Sequence, residues 1–254
     1  MSTPADLPPS AKRLFRPSGR VGGRTYDQMT GQCSWYVLAT EITAFCRVVF
    51  GATNTVNGYG YVVPMSHPDF PWLYAKSFDG EWCGWDQVNN HVLGYKVTVT
   101  FSSWPFAFSG SDAFLTIQSQ PSGRAMALPA SAGTLTDGTH PAHDPGGYFP
   151  GITYTITQHQ LAYLNEAYYL TFANCVNSVA WRGYSAGYVL YNGPGITRTT
   201  TFAGVTTWEV THTFEVSANQ WNYEYGANGN LQEWKPNGVD RHGVADLNQV
   251  FVLP

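Results

Sequence analysis

Apolar and polar side chains alternate along Tyr95-Lys96-Val97-Thr98-Val99-Thr100-Phe101, which puts an aromatic, Val and Phe on one face and Lys and two threonines on the other. A period of two is the pattern of a strand buried on one side. The same order returns 113 positions later as Trp208-Glu209-Val210-Thr211-His212-Thr213-Phe214. A strand written twice predicts a mainly β chain of two tandem β-sandwich-like units related by duplication, with at most one or two short helices. Tyr95, Val97 and Phe101 in the first copy, and Trp208, Val210 and Phe214 in the second, are the expected core anchors.

The remaining pattern fills in around those strands. Cys33 to Phe50 is rich in Tyr, Val, Thr, Ile and Phe and ends at Gly51, so it reads as β. Asn57 to Trp85 reads as a long Gly/Pro/aromatic loop, and Phe114 to Ile117 as a short strand. Leu161, Leu164, Tyr168 and Phe172 recur at spacings of three and four, which suits an amphipathic helix, although Tyr168 to Phe172 fits a strand equally. Tyr188 to Tyr191, a turn at Gly193-Pro194-Gly195, Thr197 to Phe202 and Val205 to Val216 predict a three-stranded meander. Val250 to Leu253 reads as a closing strand or a docking segment. The expected organisation is a flexible basic arm over residues 1–24, a first β-unit over 25–124, a linker over 125–150 and a second β-unit over 151–254.

Composition changes this picture in one respect. Charged residues make up 12% of the 254 residues, about half the roughly 25% usual in soluble domains, while aromatics reach 15%. A surface made mainly of Thr, Ser, Asn, Gly and Tyr lacks the charges that oppose association, so partner subunits or a neutral ligand are expected to cover much of it. The formal net charge of −4 argues against a phosphate-binding groove, and no direct contact with nucleic acid is expected. Five of the thirteen basic residues, Lys12, Arg13, Arg16, Arg20 and Arg24, lie in the N-terminal arm. They are expected to form an assembly arm that is mobile in the isolated chain and clamps an acidic neighbour. No apolar signal-peptide core lies between Met1 and Tyr26, and no run approaches the 18 apolar residues of a membrane span, so synthesis in the cytoplasm without a membrane partner is expected.

Candidate chemistry is sparse. Cys33, Cys46, Cys83 and Cys175 form no CxxC pair and have no His at zinc-ligand spacing, so free thiols are favoured over a Cys33–Cys46 bridge. His140, His143 and Asp144 offer two imidazoles and a carboxylate, but Pro141 and Pro145 exclude helical presentation, and a polar loop is the simpler reading. Asp79, Glu81 and Asp86 flank Trp82 and Trp85, as a glycosidase pair beside a sugar platform would, although adjacent acids in a loop are more often solvated. Asp240-Arg241-His242 reads as a charged turn. Nucleophile elbows, phosphate-binding loops, dinucleotide fingerprints and HExxH are absent. No catalytic residue, metal site or cofactor is expected, and the chain reads as a non-enzyme.

One stretch resembles a known group. Val176-Asn177-Ser178, Trp181 to Gly193, Gly204, Trp208 to Phe214 and Trp221-Asn222 share the VNS, aGxvLyxG, WxVTxxF and WN pattern of uncharacterised proteins of tailed phages and prophage-like clusters. The resemblance implies a virion structural component, in the tail, neck or baseplate rather than the major shell. Its partners would be other virion subunits, copies of itself included. The rival expectation is a carbohydrate-binding β-sandwich module that uses Trp- and Tyr-rich loops.

Overall fold

The computed structural model describes residues 7–9, 11–13, 30–110, 112–126, 147–200, 205–225, 231–233 and 238–252. The chain is mainly β. In order, the elements are β1 (Lys12–Arg13), β2 (Thr30–Leu38), α1 (Ile42–Phe50), β3 (Ala52–Val56), β4 (Tyr59–Val63), β5 (Tyr74–Asp86), β6 (His91–Ser102), β7 (Leu115–Met126) and β8 (Gly147–Leu161). Then come α2 (Glu166–Leu170), β9 (Cys175–Asn177), β10 (Val189–Thr200), β11 (Thr206–Ser217), β12 (Tyr223–Tyr225), β13 (Leu231–Glu233) and β14 (Gly243–Ala245). Two compact units emerge, but each gathers separate pieces of chain. The first takes residues 1–115, 159–163 and 198–209, and the second takes 116–158, 164–197 and 210–254.

In the first unit the strands run β1-β2-β6-β5, each paired antiparallel with its neighbour. Alternate residues of β2 point inward, and Cys33, Trp35 and Val37 meet Val97, Val99 and Phe101 of β6 in the core. The helix α1 covers that face with Phe45, Cys46 and Val49, all fully buried. Here the structure corrects the reading of Cys33 to Phe50 as β throughout. Strand β2 stops at Leu38, a 3-10 turn follows at Ala39–Glu41, and the β-branched run after it is helical. Its apolar stripe overrides weak helix propensity, because packing supplies most of the stability of a short helix. The helix ends at Gly51, whose N–H bonds the Arg47 carbonyl at 2.7 Å; a Cβ there would lie 2.6 Å from that same oxygen.

The expected long loop from Asn57 is instead largely strand. Asn57 and Gly58 take φ of 52° and 81°, the two-residue turn with both central residues left-handed that joins hairpin strands. Strands β3 and β4 pair across it from Val56↔Tyr59 to Ala52↔Val63. All five β4 residues are buried. Tyr61 of β4 stacks on Phe114 at 4.1 Å.

The first unit also holds part of the expected mobile arm. Lys12 and Arg13 pair with Tyr36 and Trp35 of β2, and Leu7 and Ala11 pack against the core cluster. Among the described residues of the arm, Leu7 and Ala11 are thus packed and Lys12 and Arg13 paired in the first unit. Arg16, Arg20 and Arg24 lie outside the described residues.

In the second unit β11 lies between β10 and β8, β10 is flanked by β9, and β14 joins β9 in parallel. Strand β7 pairs with β8. The expected turn at Gly193-Pro194-Gly195 is absent: β10 runs through it, with Gly193 at φ 107°, a value glycine takes without strain. The predicted meander is therefore the single pair β10 and β11. The helix expected from Leu161 shrinks to α2, begun by Asn165, whose side chain accepts the Tyr168 N–H. Leu247–Phe251 is a 3-10 turn with Leu247 and Val250 buried, so the closing strand is not formed. Most of the expected linker, residues 127–146, lies outside the described residues, and Gly147 to Pro150 already belong to β8.

Candidate functional site: the β5–β6 hairpin

Most of the anchors named from the sequence are inside. Val97, Phe101, Val210 and Phe214 are fully buried, whereas Tyr95 and Trp208, at the start of each copy, are half-buried. The Arg198 guanidinium sits over the Trp208 ring at 5.5 Å. Trp208 therefore trades full burial for a cation–π contact.

The exposed apolar side chains are elsewhere. Strand β2 stops pairing with β6 at Leu38↔Gly94, while β5 and β6 continue together to Asp86↔His91. Beyond that point they form a two-stranded ribbon that holds Trp85, Val88 and Leu93, and Trp82, opposite Tyr95, lies at its base on the sheet's edge strand. Trp82 is 66% exposed, Trp85 45%, Val88 91% and Leu93 43%. Residues three apart on a regular strand face opposite sides. The rings of Trp82 and Trp85 nonetheless meet edge-on, with centroids 5.7 Å apart and planes at 80°. Gly84 between them makes this possible: its φ of 81° breaks the alternation, and an added Cβ would press on Leu93 at 3.3 Å.

The tip holds its own shape. Asp86 Oδ1 accepts the N–H groups of Val88 (2.9 Å) and Asn89 (3.2 Å), and Oδ2 accepts from Asn89 Nδ2 (2.8 Å). The Asn89 side chain, followed by the two backbone bonds, holds the Asp86 carboxyl below its usual range. Glu81, on the same strand, is paired with Lys96 Nζ at 3.2 Å. A carboxylate capping a turn and another bound to lysine do not form the opposed acid and base of a glycosidase. Asp79 stays exposed. What the hairpin presents instead is a pair of exposed indoles, a side-chain type enriched at the centres of protein interfaces.

The other polar clusters are structural. Cys33, His67 and Asp69 come close enough to share a metal ion. However, His67 Nδ1 accepts the backbone N–H groups of Asp69 (3.1 Å) and Phe70 (3.2 Å), which puts the ring proton on Nε2, 3.2 Å from Cys33 Sγ. A neutral imidazole arranged this way offers Nε2 neither as a ligand nor as a base toward the thiol. All four cysteines are free thiols, and burial raises the Cys46 pKa to about 11.

In the second unit His212 is wholly buried and closes a chain of hydrogen bonds. Gln158 Oε1 accepts from Tyr169 Oη at 3.0 Å and from His212 Nε2 at 2.8 Å, and His212 Nδ1 in turn accepts from Tyr191 Oη at 2.9 Å. Because an amide oxygen only accepts, Nε2 carries the proton and the ring is neutral. Burial lowers the His212 pKa to about 3. Sequence alone gave no sign of this network, since its members sit on four different elements.

His242 is likewise fixed, with Nδ1 2.8 Å from Asn174 Oδ1 and its backbone N–H donated to Asn222 Oδ1 at 3.0 Å. Burial, then Arg241 and Arg124, lower its pKa. The quoted motif residues are loop organisers. Asn177 Nδ2 donates to the carbonyls of Val179 (2.7 Å) and Ser185 (2.9 Å) while its Oδ1 accepts from Val189, and Trp221 Nε1 donates to the carbonyls of Tyr188 and Glu215. His140, His143 and Asp144 lie outside the described residues. Among the described residues no helix is long and apolar enough to cross a membrane. Comparison with family models, with curated proteins and with solved structures returns no significant match.

Proposed function

We propose that this chain is a structural subunit of a phage-type particle, in its tail, neck or baseplate, which acts through protein–protein contacts and catalyses no reaction. The observation that carries the reading is the β5–β6 hairpin, which exposes Trp82 at its base and Trp85, Val88 and Leu93 on a ribbon braced by Asp86. Burying two indoles against a neighbour supplies large contact area at little entropic cost, since each ring has only two torsions to fix. The low charge content and the phage-protein resemblance of residues 176–222 support the same reading.

The Trp82→Ala/Trp85→Ala double variant should keep its melting temperature within about a degree, as exposed substitutions do. Co-expressed with the other particle components, it should fail to enter particles. Normal incorporation of this variant would overturn the hairpin's role. A glycan-binding module is the second reading, favoured by the exposed indole pair, although planes at 80° do not make one flat platform. Retention on immobilised polysaccharide that is lost in the double variant, together with normal incorporation, would establish it.

A further inference from the structure

The ring of His212 is wholly buried, and one of its walls is a turn near the end of the chain. Phe251 meets the imidazole edge-on, with centroids 5.1 Å apart, and lies 5.9 Å from the Phe214 ring. The Leu247–Phe251 turn that carries Phe251 follows β14, and Leu247 and Val250 within it are fully buried. The Tyr168 hydroxyl points at two carbonyls of this segment, Gln249 at 3.0 Å and Val252 at 2.6 Å, and Asn248 Nδ2 donates to the Ala180 carbonyl at 3.1 Å. These ties run through side chains and apolar burial, whereas β8, β10 and β11, which carry Gln158, Tyr191 and His212 itself, lie side by side in one sheet.

In place, the ring resists a second proton. Nε2–H already donates to Gln158 Oε1 and Nδ1 accepts from Tyr191 Oη, so a proton on Nδ1 would oppose the tyrosine's own and leave a cation out of water. The groups bonded to the ring or packed on its faces and edges are Gln158, Tyr169, Tyr191, Phe214 and Phe251, all uncharged, and none of them offsets that cost. Water must therefore reach the imidazole before it charges. The turn is the wall whose displacement breaks no sheet, and local opening selects the segment that is cheapest to detach.

We propose that the Leu247–Phe251 turn is an acid-released lid: as pH falls it swings out about Asp246, water reaches His212, and the ring takes up its proton while β8, β10 and β11 stay together. Under the closed lid burial holds the His212 pKa at about 3, against an ordinary 6.5 once the ring is hydrated. The open form thus binds the proton first, and the closed form loses ground to it as pH falls through 6.5. The shift reaches about tenfold per pH unit and amounts to about twentyfold between pH 7 and 5. At Asp246 desolvation is outweighed by hydrogen bonds from Asn248 and Gln249, which hold its pKa below the ordinary 3.8 and outside this window. The His242 ring faces Trp221 and Asn174.

Hydrogen exchange of the full chain, read by mass spectrometry at pH 7 and 5 and corrected for the intrinsic rate at each pH, tests the lid. Protection of the turn amides of Gln249 and Val252, which bond the Asp246 and Gln249 carbonyls, should be lower than that of β10 and β11 and should fall about twentyfold from pH 7 to 5. Dilute urea should leave the turn's exchange nearly unchanged and speed that of the strands, since a local opening exposes little surface. Phe251→Ala, at a half-buried position, should lower turn protection at both pH values and keep the ratio between them. His212→Val should make turn protection independent of pH. Equal protection at the two pH values, or a turn that follows β10 and β11 in pH and urea alike, would overturn the lid. A pH ratio that survives in His212→Val would overturn the part given to the imidazole, and unchanged turn protection in Phe251→Ala would overturn the part given to the ring above it.

Discussion

Strands β6 and β11 make the same sequence pattern serve two different interiors. Each is a middle strand. Strand β6 lies between β2 and β5, and β11 between β8 and β10, so one neighbour directly precedes the strand and the other comes earlier, before a helix. Their outer faces repeat as well. Thr98 Oγ1 meets Ser34 Oγ of β2 at 2.8 Å, and Thr211 Oγ1 meets Thr157 Oγ1 of β8 at 3.2 Å. The inner faces match at Val97 and Val210 and at Phe101 and Phe214, and differ between them. Val99 packs among hydrophobes, whereas His212 in the corresponding place is neutral and hydrogen-bonded on both ring nitrogens. The pleat thus fixes which side chains go inside, and the neighbouring elements decide whether a polar one is tolerated there. A buried imidazole without Gln158 and Tyr191 would carry an uncompensated desolvation cost.

The sharpest test of that equivalence is at the shared phenylalanines. Phe101→Ala and Phe214→Ala should each cost about 3–5 kcal/mol in denaturant unfolding, as expected for a fully buried ring. A cost below about 1 kcal/mol at either position would show that the repeated strands are alike in pattern only.

Acid should separate the two strands next. His212 has a folded pKa of about 3 against an ordinary value of 6.5, so the unfolded chain takes up the proton first. The stability linked to this group is fully present above pH 6.5 and is lost as pH falls towards 3, by up to about 1.4 kcal/mol per unit. Unfolding of the second unit, followed across pH 7 to 4, should show this slope, and His212→Val should flatten it. An unchanged slope in the variant would place the acid sensitivity elsewhere.

At neutral pH His212→Val, which rewrites β11 as β6, should itself destabilise by about 1–3 kcal/mol, because it leaves the Tyr191 hydroxyl and the Gln158 carbonyl short of a partner. Adding Tyr191→Phe should cost little more, and strict additivity in that cycle would deny that the two side chains act together. The smallest effect belongs to the outer face. Thr98→Val and Thr211→Val should each change stability by less than about 1 kcal/mol, and by similar amounts, since a cross-strand hydroxyl pair contributes only a few tenths.

Much of the scaffold was legible because a half-buried strand writes its own period. The alternation in β6 and β11 placed Val97, Phe101, Val210 and Phe214 inside, whereas the two-residue hairpin signal of Asn57-Gly58 was missed among the prolines and aromatics that follow it and read as loop. The ribbon of β5 was illegible for the opposite reason: with both faces in water beyond Asp79 it has no alternation, so it read as loop. The helix α1 was hidden too, since Ile, Val, Thr and Phe favour strands until a sheet face lies beneath them.

Sequence by itself thus determined a mainly β chain, its repeated strand, the side of that strand that faces the core, and the low charge of its surface. These are local or summed properties, set by residues within one pleat or by counting. Tertiary structure alone decided that His212 meets Gln158, Tyr169 and Tyr191 and that Gly84 turns Trp85 to the side of Trp82. The network joins side chains from four separate elements, and even the two indoles meet only through the backbone angle Gly84 takes in its folded hairpin. No local period encodes such encounters, so they exist only once the chain has closed on itself.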